Sequence, residues 1–151
     1  MLAGAVGDAI GSQVEFETID EIRDRFGRRG LLGMTAGNIP AGAIGDETQM
    51  TLFTLEALIR GFQQWEDEQR CPRIDLALAS YWRWLHTQAE APAGVPTEAY
   101  LDGWMVTLPV LHARRSPAAG CLAALRTGRR GTPRVPINAI SGTAPLGRVG
   151  V

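Results

Sequence analysis

Two side chains suited to holding a cation stand side by side at Asp46 and Glu47, where a glycine-rich stretch runs into a strongly apolar helical pattern. A hard cation such as Mg²⁺ takes oxygen ligands, few of them carboxylates, and keeps several waters. Two adjacent carboxylates do not complete such a site, so further oxygens must come from elsewhere in the chain. A second account serves the same residues: Asp46 is a good N-cap, and the helix dipole favours acidic groups in a first turn. Upstream, Gly4, Gly7, Asp8 and Gly11 recur at helical spacing, with Glu15 following. Small residues at that spacing allow a backbone or a ligand to approach closely. Asp8 then either bonds a ligand or caps a neighbouring element, since a buried charge needs a partner.

Other polar features have simpler readings. Arg114, Arg115, Arg126, Arg129, Arg130 and Arg134 make a local basic cluster. Arginine grips phosphate, but no aromatic residues are interleaved here, and a solvated face is the plainer expectation. His86 and His112 have no second ligand or nucleophile at useful spacing. Cys71 and Cys121 lie far apart without a CxxC spacing, which suggests neither a zinc site nor a disulfide framework.

The elements that must position these groups are helical almost throughout. Residues 2–13 read as a small apolar helix. Thr18 and Glu21 form a capping-box pair, Ile19, Ile22 and Phe26 share one face, and Gly27 is the stop. Residues 28–45 are glycine-rich and aperiodic, so they read as a loop. Residues 47–64 carry the strongest pattern, with Met50, Phe53, Leu58 and Phe62 among the apolar positions. A further helix is expected over 74–88 with Leu78, Trp82 and Leu85. Pro92, Gly94 and Pro96 break it. A short helix is expected over 97–107. Ser116 and Pro117 read as the N-cap and first turn of a last helix closed by Gly128. No alternating run is long enough for a sheet, so the expected fold is all-α.

Composition sets the outer limits. The chain has 151 residues, 45% of them hydrophobic and 21% charged, as in a globular domain. A net charge of −1 gives no global pull toward nucleic acid or membrane. All fifteen basic residues are arginine, which fits either bidentate anion binding or a GC-rich coding sequence. No apolar run approaches the roughly 20 residues of a spanning helix. The N-terminus has no basic segment and carries Asp8 within its apolar stretch, so no signal peptide and a cytoplasmic location are expected.

The order of these features resembles one family. GAVGDAIGSQVEF at 4–16 looks like the opening helix and Glu loop of ADP-ribosylglycohydrolases. GDETQMTLFTLEALIRG at 45–61 resembles their second motif, usually Thr/Ser-Asp-Asp-Thr-Gln-Met followed by an apolar helix. SYWRWLHTQ at 80–88, LHARRSP at 111–117 and CLAALRTGRRGTP at 121–133 are similar to connecting segments of bacterial members. The resemblance implies an all-α fold with a pair of Mg²⁺ or Mn²⁺ ions. It implies hydrolysis of the glycosidic bond joining ADP-ribose to an acceptor such as arginine, in a modified protein or a small molecule. It places Asp46 and Glu47 at the metals and Gly45 where a hydroxyl ligand usually stands. Glu15 falls in the loop that approaches the substrate ribose, which makes Glu15 and Glu47 the candidate catalytic residues and Asp8 and Glu15 the substrate-side ones.

Three departures accompany the resemblance. Gly45 offers no side-chain oxygen. Glu47 carries its charge one methylene further out than the usual Asp. After Asn138 the family's ligand-facing loop is replaced by AISGTAPLGRVGV. The expectation is therefore an N-terminal part of the family domain over 1–138 and a divergent tail over 139–151. Such a chain would lack the Asp-rich C-terminal metal motif, and the alternative expectation is an inactive fragment or pseudoenzyme that at most binds nucleotide or a partner protein.

Overall fold

The computed structural model describes residues 1–34, 40–69, 75–132 and 134–140. The fold is all-α, as expected. Among the described residues five helices follow in order: α1 (Leu2–Gly11), α2 (Ile19–Phe26), α3 (Asp46–Glu68), α4 (Asp75–Thr87) and α5 (Ala119–Arg126). Three 3-10 turns lie between α4 and α5, at Thr97–Ala99, Met105–Thr107 and Pro109–His112. Among the described residues the β pairing is an isolated antiparallel bridge between Thr132 and Val135.

The core forms where α3 packs along α4, and α5 and the last 3-10 turn close over them. Asp46, Gln49, Met50, Phe53, Glu56, Ala57 and Gly61 line the buried face of α3, at the three- and four-residue steps that keep one helical face inward. Met50 and Phe53 meet Trp84 and Leu85 of α4, with Leu111, Leu122 and Leu125 completing the cluster. Burying each such large side chain is worth about 1.5–3 kcal/mol. Leu58, Phe62 and Trp65 lie on the outward side of α3 and stay exposed.

Three of the buried α3 residues, Asp46, Gln49 and Glu56, are polar, and Glu56 ties the core together. The Glu56 carboxylate accepts from Arg83 Nε at 2.8 Å and from the Met105 amide at 2.9 Å. Arg83 Nη1 donates to the Tyr100 carbonyl and to Asp102, each at 2.9 Å, and Asp102 is also gripped in bidentate fashion by Arg60. Gly103 runs so close to this pair that a Cβ there would lie 2.5 Å from Arg83 Nε. These bonds explain why the span 97–107 forms two separate 3-10 turns and no continuous α-helix. Arg83 takes the Tyr100 carbonyl and Glu56 takes the Met105 amide, groups a local helix would have needed for its own ladder.

Other differences from the sequence expectation are local. The α2 capping box is present as read, with reciprocal Thr18–Glu21 bonds and Gly27 at the C-cap. Helix α1 stops at Gly11, after which the Gln13 and Val14 amides return to Ile10 and Gly11 in tighter turns. A Cβ at Gly4, Gly7 or Gly11 would meet nothing within 4 Å, so the close approach expected of that face is not made among the described residues. Gly45, not Asp46, is the N-cap of α3, and α3 runs four residues beyond Gln64 to Glu68. Ser116 does not cap α5. Its φ is +47°, and Pro117 disfavours the right-handed helical region for the residue before it. The helix begins at Ala119 instead. The expected helix start at Ile74, Cys71 and most of the tail expected to diverge (141–151) lie outside the described residues.

Candidate functional site

Helix α3 begins with a glycine cap, which has no side chain to satisfy the free amides of a first turn. Asp8 of α1 supplies the missing acceptor. Its Oδ2 takes the Gly45 amide at 2.7 Å and also the Thr48 hydroxyl. Asp8 therefore caps a neighbouring helix, one of the two roles its position allowed. The fit leaves no space at residue 45: a Cβ there would lie 2.5 Å from Asp8 Oδ1.

Asp46, the first helical residue, is 7% exposed. Its Oδ2 accepts the Ala118 amide at 3.1 Å, across from the start of α5. Burial pushes the Asp46 carboxyl above its ordinary value and the Asp8 charge adds to this, while the Ala118 hydrogen bond works against it. Glu15 stands exposed after α1, and its carboxyl is also raised, by partial burial and then by the charges of Asp46 and Asp8. The three carboxylates thus gather within electrostatic reach of one another at the N-terminus of α3. A small cleft of about 80 Å³ opens beside them, lined by Ser12, Glu15, Gly45, Arg114, Arg115 and Ser116.

The far wall of the cleft, residues 113–118, is held from below. Gln49, fully buried, donates Nε2 to the Ala113 carbonyl at 2.8 Å. Its Oε1 accepts from Trp84 Nε1 and Gln88 Nε2, both at 3.2 Å. Arg114 reaches back to the Gln88 carbonyl and to Glu90, both at 3.1 Å.

Asp8, Glu15, Gly45 and Asp46 are thus brought together. Glu47 follows one step along α3, half-buried and engaged in contacts of its own. Successive helical positions point about 100° apart, so Glu47 and Asp46 face different directions. Among the described residues no group of three or more His, Cys, Asp or Glu forms a ready-made cage for a metal. The donor set does suit an ion that takes one or two carboxylates and completes its shell with water and substrate oxygens, which is how Mg²⁺ is commonly held.

Of the remaining candidates, Arg114 and Arg115 line the cleft, and the histidines and other arginines do not. His86 and His112 pack edge to face, and His112 Nε2 lies 2.7 Å from the Val106 carbonyl. Arg114 and Arg126 pair with Glu90, and Arg130 with Asp75. Sequence reasoning missed Gln49 and the Ala118 amide. For Gln49 a signal existed: it sits three residues after Asp46 and four before Phe53, in register with the apolar stripe.

The fold and site together describe an all-α domain with carboxylates clustered at a helix N-terminus beside a cleft. Residues 1–149 match the family model for ADP-ribosylglycohydrolase, and the chain belongs to that family. The family is hydrolytic and generally metal-dependent, and an ADP-ribose-related substrate fits it. No curated protein and no solved structure matches the chain. No helix among the described residues is long and apolar enough to cross a membrane.

Proposed function

We propose that this chain removes ADP-ribose from an arginine-like side chain, in a modified protein or a small molecule, at the N-terminus of α3. The gathering of Asp8, Glu15 and Asp46 around one helix end, beside a cleft, supports this reading. Asp46 and Glu47, at the Gly45 helix start but facing different directions, would each offer a carboxylate to one ion of a Mg²⁺ or Mn²⁺ pair. When bound, such an ion polarises ribose hydroxyls and makes a coordinated water easier to deprotonate. The chain's own residues supply orientation and proton handling. The Ala118 amide fixes one Asp46 oxygen. Glu15, at the cleft mouth with a raised carboxyl, is a better proton acceptor than an isolated glutamate and faces the space where a ribose would enter. Glu47 is the second candidate for that proton. Asp8 anchors the helix start and borders the substrate side.

A second reading, binding of ADP-ribose compounds without turnover, draws on Gly45, which has neither a side-chain oxygen nor space for one. The test is release of free ADP-ribose from ADP-ribosyl-arginine in Mn²⁺, comparing the wild type with Asp46→Asn. Metal-dependent release that falls roughly 100-fold in the variant is the expected result, since losing one positioning contact commonly costs that much. Release that is indifferent to both chelator and Asp46→Asn would overturn the proposal. ADP-ribose binding without any release would select the second reading.

A further inference from the structure

We infer that Gln49 is a positioning residue of this site: by holding the Ala113 carbonyl it fixes the 113–118 loop that aims the Ala118 amide at Asp46. The inference rests on the proposed role of Asp46 for its functional consequence, though not for its geometry. The orientation of the Gln49 amide is settled by chemistry. Trp84 Nε1 can only donate, so the atom 3.2 Å from it must be the Gln49 oxygen. The nitrogen then faces the Ala113 carbonyl at 2.8 Å. Asp46 and Gln49 are three residues apart and lie on one face of α3. The loop is accordingly pinned to a single helical turn at two points, Ala113 on Gln49 and Ala118 on Asp46. One point would let it pivot, and two set its orientation.

The span between those points needs such fixing. Ser116 holds a φ of +47°, a left-handed conformation that non-glycine residues adopt only when their surroundings enforce it. Arg114, Arg115 and Ser116 of this span form one side of the cleft. Gln88 binds the arrangement to the end of α4, giving Nε2 to Gln49 and its carbonyl to Arg114. Gln49 does not line the cleft, so its influence there passes through the loop.

The test uses Gln49→Glu, which keeps an acceptor for Trp84 and Gln88 but places an oxygen against the Ala113 carbonyl. Gln49→Met, neutral and of similar size, serves if the buried acid prevents folding. The first readout is the Ala118 amide in ¹H–¹⁵N spectra, through its proton shift and its exchange rate. The second is Mn²⁺ affinity by titration. Loss of the Ala118 bond should move that proton toward ordinary amide shifts and speed its exchange roughly 10-fold or more. Mn²⁺ affinity should fall about 10- to 100-fold, the usual effect of losing a group that orients a ligand. Trp84→Phe, which removes a donor to Oε1 but leaves the Ala113 bond, should leave the Ala118 amide unchanged. An unaltered Ala118 amide in a folded Gln49 variant would overturn the inference, as would equal disturbance by Trp84→Phe. If wild-type protein shows no Mn²⁺ binding that depends on Asp46, the metal reading fails by itself, and the amide data still decide the role of Gln49.

Discussion

Replacing Glu56 by leucine should destabilise the protein far more than its single carboxylate suggests. Glu56 is fully buried, and its loss removes the acceptor for Arg83 Nε at 2.8 Å and for the Met105 amide at 2.9 Å. Breaking a buried pair leaves an uncompensated charge, which costs about 3–5 kcal/mol. Asp102 continues to accept from Arg83, although it is shared with Arg60 and half exposed, which places the cost near the lower end, about 3 kcal/mol. At about 2–4 °C per kcal/mol for a chain of this size, the melting temperature should drop by roughly 6–12 °C. Arg83→Met should cost a similar amount. The combination Glu56→Leu with Arg83→Met removes both charges and leaves mainly unpaired backbone groups, so it should cost less than the two single changes added together, by roughly 2–3 kcal/mol. Urea unfolding followed by circular dichroism on all four proteins closes the cycle. Additivity within about 0.5 kcal/mol would refute the coupling and with it the account of the α3–α4 interface.

Four further outcomes are expected. Gly45→Ala should destabilise by about 1–3 kcal/mol, because its Cβ would fall 2.5 Å from Asp8 Oδ1. Gly4→Ala, which meets nothing within 4 Å, should be neutral or stabilising in the same thermal melts. The Glu90 carboxyl is held below its ordinary 4.5 by hydrogen bonds from Arg126 and then Arg114. Its contribution to stability is present above pH 4.5 and is lost as pH falls through the lowered value, so Glu90→Gln should flatten the acid limb of a stability-versus-pH curve. Thr18→Ala should weaken the start of α2 by about 1 kcal/mol. Since α2 buries no residue, the change should show as faster amide exchange within α2 and not as a lower global melting point.

Features that depend on near neighbours were legible in the sequence. The α2 capping box needs only residues three apart, and it formed as read. Residues 47–64 announced α3 through apolar periodicity alone. Ser116–Pro117 looked like a helix start because that rule is also local, but the Ala118 amide is drawn to Asp46, and the strained Ser116 follows from that tertiary bond. Glu56 was hidden for a different reason. A polar residue inside an apolar stripe reads as solvent-facing until the helix that supplies its partners is in place. The gathering of Asp8, Glu15 and Asp46 was suggested by the order of the family motifs. The links that aim Asp46 were not, because Gln49 meets a residue 64 positions away and Asp46 one 72 positions away.

Those separations bear on how the protein folds. The first turn of α3 borrows its cap from Asp8, 37 residues earlier, and has its leading carboxylate secured by Ala118, 72 residues later. The α3–α4 interface closes a much shorter loop, with Ser80, Tyr81 and Arg83 meeting partners 27 residues away. Loop-closure entropy grows with the logarithm of loop length, and contacts between distant segments form more slowly than local ones. The helical hairpin of α3 and α4 should therefore assemble first and carry the nucleus, with the acidic end of α3 ordered only after α1 and the segment before α5 have docked. During biosynthesis Asp46 waits for Ala118 to leave the ribosome. The carboxylate cluster is thus a late-formed part of the molecule, reporting that both flanks of the chain have found their places.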